Sequence, residues 1–136
     1  MNFLRRSRLS LVLAVLTAGG LLYDAKVHLQ LAGGYDAVGD TLTQGWLFRF
    51  EAIVAIAVAV AVLVSDHRLV WASAGLTGAA GVAAVLLYRY VDVGAIGPIP
   101  NMYEPVWFAE KLRSAYAEGA VAACWLVREG ARARTR

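Results

Sequence analysis

A chain of 136 residues that is 60% hydrophobic and 17% charged lies well above the roughly 45–50% apolar share of a soluble domain, which excludes an ordinary soluble fold. Four membrane-spanning helices of about 20 residues each would use nearly the whole chain and leave no room for a soluble domain. The formal net charge of +3 sits mostly at the two ends, a topology signal before it is a nucleic-acid signal, and a single cysteine, Cys124, excludes an intrachain disulfide.

The N-terminal MNFLRRSR carries Arg5, Arg6 and Arg8, and an apolar run follows from Leu9 to about Tyr23. Basic residues before an apolar stretch also describe a signal peptide, with Thr17-Ala18-Gly19 as a poor cleavage site. The helical pattern continues past Gly20 through LLYDAKVHLQLA, so a spanning helix over 9–32 is the better reading. Gly33-Gly34 should end it, with Asp24, Lys26 and His28 near its outer end.

The linker YDAVGDTLTQG is polar, and the second span is expected over 43–65. At 100° per residue, the side of Glu51 carries Ala55 and Ala59 together with Val54, Val58 and Val62. Ile53, Ile56, Val60, Leu63 and Val64 lie opposite. Small residues suit close helix approach and bulky aliphatics suit lipid. The cost of a lipid-facing carboxylate is the stronger reason to point Glu51 inward.

Ser65-Asp66-His67-Arg68 is a tight turn, and the third span is expected over 69–90. Ser73, Thr77 and Gly81 recur at four-residue spacing, with Ala74 and Gly78 on a neighbouring strip, a small-residue packing face within the monomer or between copies. A Gly- and Pro-rich loop, YVDVGAIGPIPNMYEP, follows. Pro105 suits a first helical turn, which places the fourth span over 105–127. The tail REGARARTR should be basic and mobile.

Three arginines precede the first span and four lie in the C-terminal tail. The positive-inside rule therefore places both termini and the Asp66–Arg68 turn in the cytoplasm. On that register the polar residues of all four spans gather in the outer leaflet. These are Asp24, His28, Glu51, Arg89, Glu110, Arg113 and Glu118. On the fourth helix Arg113, Glu110, Ser114, Glu118 and Lys111 share one arc of roughly 160°, with Leu112, Tyr116, Gly119 and Ala123 opposite.

Four uses of such a cluster compete. An ion-pair network could hold the helices in register, through Glu51 with Arg113 and Glu110 with Lys111 or Arg89. A cavity open to the outside could take an amphiphile or a small polar ligand. Glu118, near mid-membrane, could relay protons. Asp24 and His28, one turn apart, could share a metal with Glu51 or Glu110, although one histidine plus carboxylates is a weak signature. No GxSxG, HExxH, CxxC or phosphate-cradling Gly-rich loop occurs in the sequence. His67 belongs to the turn, which leaves too few histidines for a bis-histidine haem.

His28-Leu29-x-Leu31, Tyr35 and Gly45-x-Leu47-Phe48 resemble a pattern in small four-span membrane proteins of actinobacteria. There an H-L-x-L segment ends the first helix and a G-x-L-F segment opens the second. The resemblance covers about the first half of the chain and implies architecture, not activity.

The sequence thus predicts an all-α, transmembrane four-helix bundle forming a single domain in a bacterial cytoplasmic membrane. The leading functional expectation is a non-enzymatic accessory or structural component with no cofactor and no catalytic residues. A proton-coupled carrier using Glu118, Glu51 and Arg113, or an amphiphile transporter, comes second. A redox or metal protein using Asp24 and His28 comes third. The expected partners are membrane lipids, with self-association or a larger membrane complex beside them, and no nucleic acid.

Overall fold

The computed structural model describes residues 6–135, so the charges assigned to Arg5 and Arg136 lie outside the described residues. The fold is an all-helical bundle of α1 (Arg8–Ala32), α2 (Gln44–Val64), α3 (Arg68–Tyr90) and α4 (Ala109–Ala133). Three of these, α1, α2 and α3, are long and apolar enough to cross a membrane. The chain is therefore built as a membrane protein. Helix α4 is as long but far more polar and strongly amphipathic. It lies in the bundle by packing on α1 and α3.

Side-chain caps fix three helix starts. Ser7, Thr43 and His67 each accept a backbone N–H from the first turn of α1, α2 and α3, which satisfies a donor that the helix leaves orphaned. Helix α1 runs unbroken through Thr17-Ala18-Gly19 and passes at Gly33–Tyr35 into one 3₁₀ turn.

The fourth helix differs from expectation at both ends. It begins at Ala109, not at Pro105. Val106, Trp107 and Phe108 are bulky or β-branched and favour extended backbone, and Phe108 adopts φ −136°, ψ 164°. Lys111 Nζ donates to the carbonyls of Glu104 (3.0 Å) and Val106 (2.9 Å), which ties this segment down as a strap. At the other end, the tail expected to be mobile is helical to Ala133, as its alanines and arginines favour.

The buried faces follow the small residues. Ala52, Ala55, Ala59 and Val62 of α2 are buried, and Ile53, Val60 and Val64 point outward. Ala74, Gly75 and Gly78 of α3 are buried. Added Cβ atoms at Gly75, Gly78 and Gly81 would run into Trp125, the α4 backbone and the Glu118 side chain respectively. The small-residue strip is therefore spent on α4 within the monomer, while Ser73 stays exposed.

One node ties together the end of the bundle that carries the 65–67 turn. Asp66 Oδ1 accepts from Ser10 Oγ (3.0 Å), Trp71 Nε1 (3.0 Å) and Arg128 Nη2 (3.0 Å). The Arg128 guanidinium also lies 4.7 Å above the Trp71 ring. Toward the opposite end, Ser114 of α4 meets Asp24 of α1. Ser10 to Asp24 and Ser114 to Arg128 are equal steps along the two helices, about 21 Å each at 1.5 Å per residue, so α4 runs antiparallel to α1 in fixed register.

Candidate functional site: an acidic cluster at the floor of a cavity

All four helices line a cavity of about 330 Å³ in the half of the bundle away from the 65–67 turn. Helix register divides its polar wall into two tiers. The floor holds His28, Glu51, Ser114 and Glu118, with Gly81 facing them. The rim holds Tyr35, Gln44, Tyr88 and Lys111. On each helix the rim residue is seven positions, about 10 Å of rise, from its floor counterpart. Helix α4 sits displaced against α1, so Lys111 starts level with Val27 and its amino group reaches the rim at Glu104. Between them the wall is apolar, with Leu31, Leu47, Phe48, Ala84 and Val85. Helices α2 and α3 make the fewest contacts of the sequence-adjacent helices. Ala80 and Ala84 line the cavity and are also exposed, so it opens sideways along that seam.

The rim is closed over by the strap. Tyr35 Oη donates to the Glu104 carboxylate (2.8 Å), and Lys111 Nζ lies 3.3 Å from Glu104 Oε2. Glu104 N–H bonds the Tyr88 carbonyl at 3.0 Å. Gly39, at φ 106°, abuts Pro100 and brings the two loops at this end together. Beside the strap, Asp36 and Arg49 form an exposed bidentate pair, in which the guanidinium holds the Asp36 carboxyl below its ordinary range.

At the floor, His28 Nδ1 sits 3.0 Å from the Asp24 carbonyl and 3.1 Å from Asp24 Oδ1. The edge of the His28 ring meets Phe48 at 5.1 Å between centroids. Ser114 Oγ donates to Asp24 Oδ1 at 2.5 Å and lies 3.5 Å from Glu118 Oε1. The Asp24 carboxyl is also within hydrogen-bonding reach of the Glu118 and Glu51 carboxyls. Ionised carboxylates only accept. Accordingly Asp24 Oδ2, Glu51 Oε1 and Glu118 Oε2 are buried with no donor among the described residues. Asp24 and Glu118 are only 1% and 2% exposed. A seat for the Glu118 carboxylate exists because residue 81 is glycine, since a Cβ there would overlap it.

Of the seven residues that the sequence nominates, the structure gathers four: Asp24, His28, Glu51 and Glu118. Arg113 and Glu110 are exposed on α4. The expected Glu51–Arg113 pair does not form among the described residues, because the buried line of α4 runs Ser114, Glu118, Val121, Arg128 and leaves Arg113 outside it. Glu110 likewise pairs with neither Lys111 nor Arg89. Lys111 pairs with Glu104, and the Arg89 guanidinium lies over Tyr90 (4.7 Å) and Trp107 (5.7 Å), where it anchors the strap. Ser114 entered the sequence reading only as a member of the polar arc, and Gly81 only as packing.

No family model matches this chain, and no curated protein or solved structure does so either.

Proposed function

We propose that this protein is a non-catalytic membrane component that binds a small amphiphile in its outer-half cavity. The observation that carries the reading is the cavity's two-tier wall, apolar between polar tiers and open along the α2–α3 seam. The apolar wall between the tiers takes the body of the ligand, and the rim residues Tyr35, Gln44 and Lys111 hold a polar head. Burying such a body is favourable by about 25 cal/mol per Å² of apolar surface. The side opening admits the ligand from the outer leaflet.

Ala84→Trp should fill the cavity from its exposed edge without disturbing the core. Native mass spectrometry of protein purified in mild detergent should show a small amphiphile on wild type. It should be lost in Ala84→Trp and kept in Ala83→Trp, whose side chain is on the outer surface. No bound amphiphile, or one that survives Ala84→Trp, removes this reading.

The orientation belongs to the same proposal. Both termini and the 65–68 turn lie in the cytoplasm, supported by the arginines at each end, which faces the cavity outward. Reporter fusions at the C-terminus and within 65–68 should read cytoplasmic, and fusions within 35–43 external. A C-terminus on the outside would overturn it.

A further inference from the structure

We propose that Asp24, His28 and Glu118 bind one divalent first-row transition-metal ion at the cavity floor. One ligand atom from each of the three lies within 4.8 Å of the other two. Donors at about 2.0–2.2 Å from a shared ion stand roughly 3.4 Å apart in a tetrahedral site. Small side-chain rotations close the remaining gap.

Three further observations point to a cation. Asp24 Oδ2 and Glu118 Oε2 are buried and face other acceptors with no donor between them. Carboxyls turned toward one another in a dry interior are stabilised by a cation among them or by taking up protons. The site is also shaped for this arrangement. Gly81 clears the space that Glu118 occupies, and Ser114 steadies Asp24 from behind. The His28 ring is oriented by Asp24 and by the edge contact with Phe48. Finally, two carboxylates and a neutral imidazole match the charge of a divalent ion.

Mixed nitrogen and oxygen donors without thiolate suit zinc, manganese or ferrous iron over soft ions. Glu51 stands beside the set as a third carboxylate, and His28, Glu51 and Glu118 all line the cavity. This site rests on the cluster alone and stands whether or not an amphiphile fills the tier above.

The experiment is titration of chelator-stripped, detergent-purified protein with Zn²⁺, Mn²⁺ and Co²⁺. Bound metal is counted by elemental analysis, and Co²⁺ absorption reports coordination. Wild type should take one ion per chain, with Co²⁺ bands of a low-coordinate site that includes nitrogen. His28→Gln and Glu118→Gln should abolish binding, and Glu110→Gln and Arg113→Gln should not change it. Ser114→Ala keeps every ligand but loses the hydrogen bond behind Asp24, and should weaken binding about 10- to 100-fold.

Wild type that binds no metal overturns the proposal and leaves shared protons as the balancing charge. Binding that survives both His28→Gln and Glu118→Gln overturns it equally. If those two variants do not fold, a Ser114→Ala protein that binds as tightly as wild type has the same force. Ala84→Trp separates the readings, because it should expel an amphiphile and keep the metal.

Discussion

Asp66→Asn should be among the more damaging single substitutions in this bundle, at about 1–3 kcal/mol, because it takes the charge from an acceptor shared by three donors and leaves buried Arg128 with Glu129 as its remaining carboxylate. Asp66 takes three donors from three different helices, and Arg128 is almost wholly enclosed. Arg128→Met should lose a similar amount, and the double variant should recover part of the loss, since neither charge is then left alone. Thermal unfolding in detergent measures all three. Strictly additive effects would show that the two residues are not coupled.

The same node sets an acid limit. Burial pushes the Asp66 carboxyl up, but hydrogen bonds from Arg128, Ser10 and Trp71, together with the Arg128 charge, outweigh it and hold the group below its ordinary value. A folded-state value below the unfolded one means the stabilisation is complete above the unfolded value, about 3.9. It is lost as pH falls through the lower, folded value. Wild-type stability should therefore fall below about pH 4, and Asp66→Asn should flatten that part of the curve.

The second large effect concerns two glycines one turn apart on α3. Gly78→Ala should separate α3 from α4, because its Cβ would meet the Glu118 carbonyl at 2.5 Å and the Ala122 nitrogen at 3.1 Å. Backbone cannot swing aside, so the cost is about 1–3 kcal/mol of overpacking. Gly81→Ala meets the end of the Glu118 side chain instead. That carboxylate can move, so stability should change less, while occupancy of the floor should be lost. Unfolding curves and metal content of the two variants give opposite rankings if this is right. Equal loss of both properties in both variants would show that Glu118 is structural.

Much of this architecture is legible in the residues. Alanines on the Glu51 side of α2 and branched aliphatics opposite gave the inward face, because a lipid-facing carboxylate is costly and small residues let helices close up. Asp24, His28, Glu51 and Glu118 could be placed in one leaflet by counting rises along the spans. The orientation of α4 was harder. Its charges surround the helix, so an arc of about 160° admitted Glu110 and Arg113 as readily as Ser114 and Glu118. Val121, which lies on the buried line, has no polar group to mark it.

The start of α4 was misplaced because Pro105 fits a first turn as well as it fits an extended strap. The bulky Val106-Trp107-Phe108 run was the signal against a helix there. The Asp66–Arg128 node could not be read locally, since its partners are 62 residues apart. The alanines and arginines around Arg128 favour helix, a signal that the expectation of a mobile tail leaves unused.

The connector between α2 and α3 is only Ser65–His67 and carries Asp66 itself, while both helices line the cavity farther along. The bundle is thus built like tweezers, riveted at one end. A change in cavity width cannot come from sliding these helices past each other, because the rivet fixes their register. It must come as a splay of their far ends, where the strap ties α3, through Tyr88, to Tyr35 and Lys111, and no hydrogen bond or ion pair of Glu104 reaches α2 among the described residues.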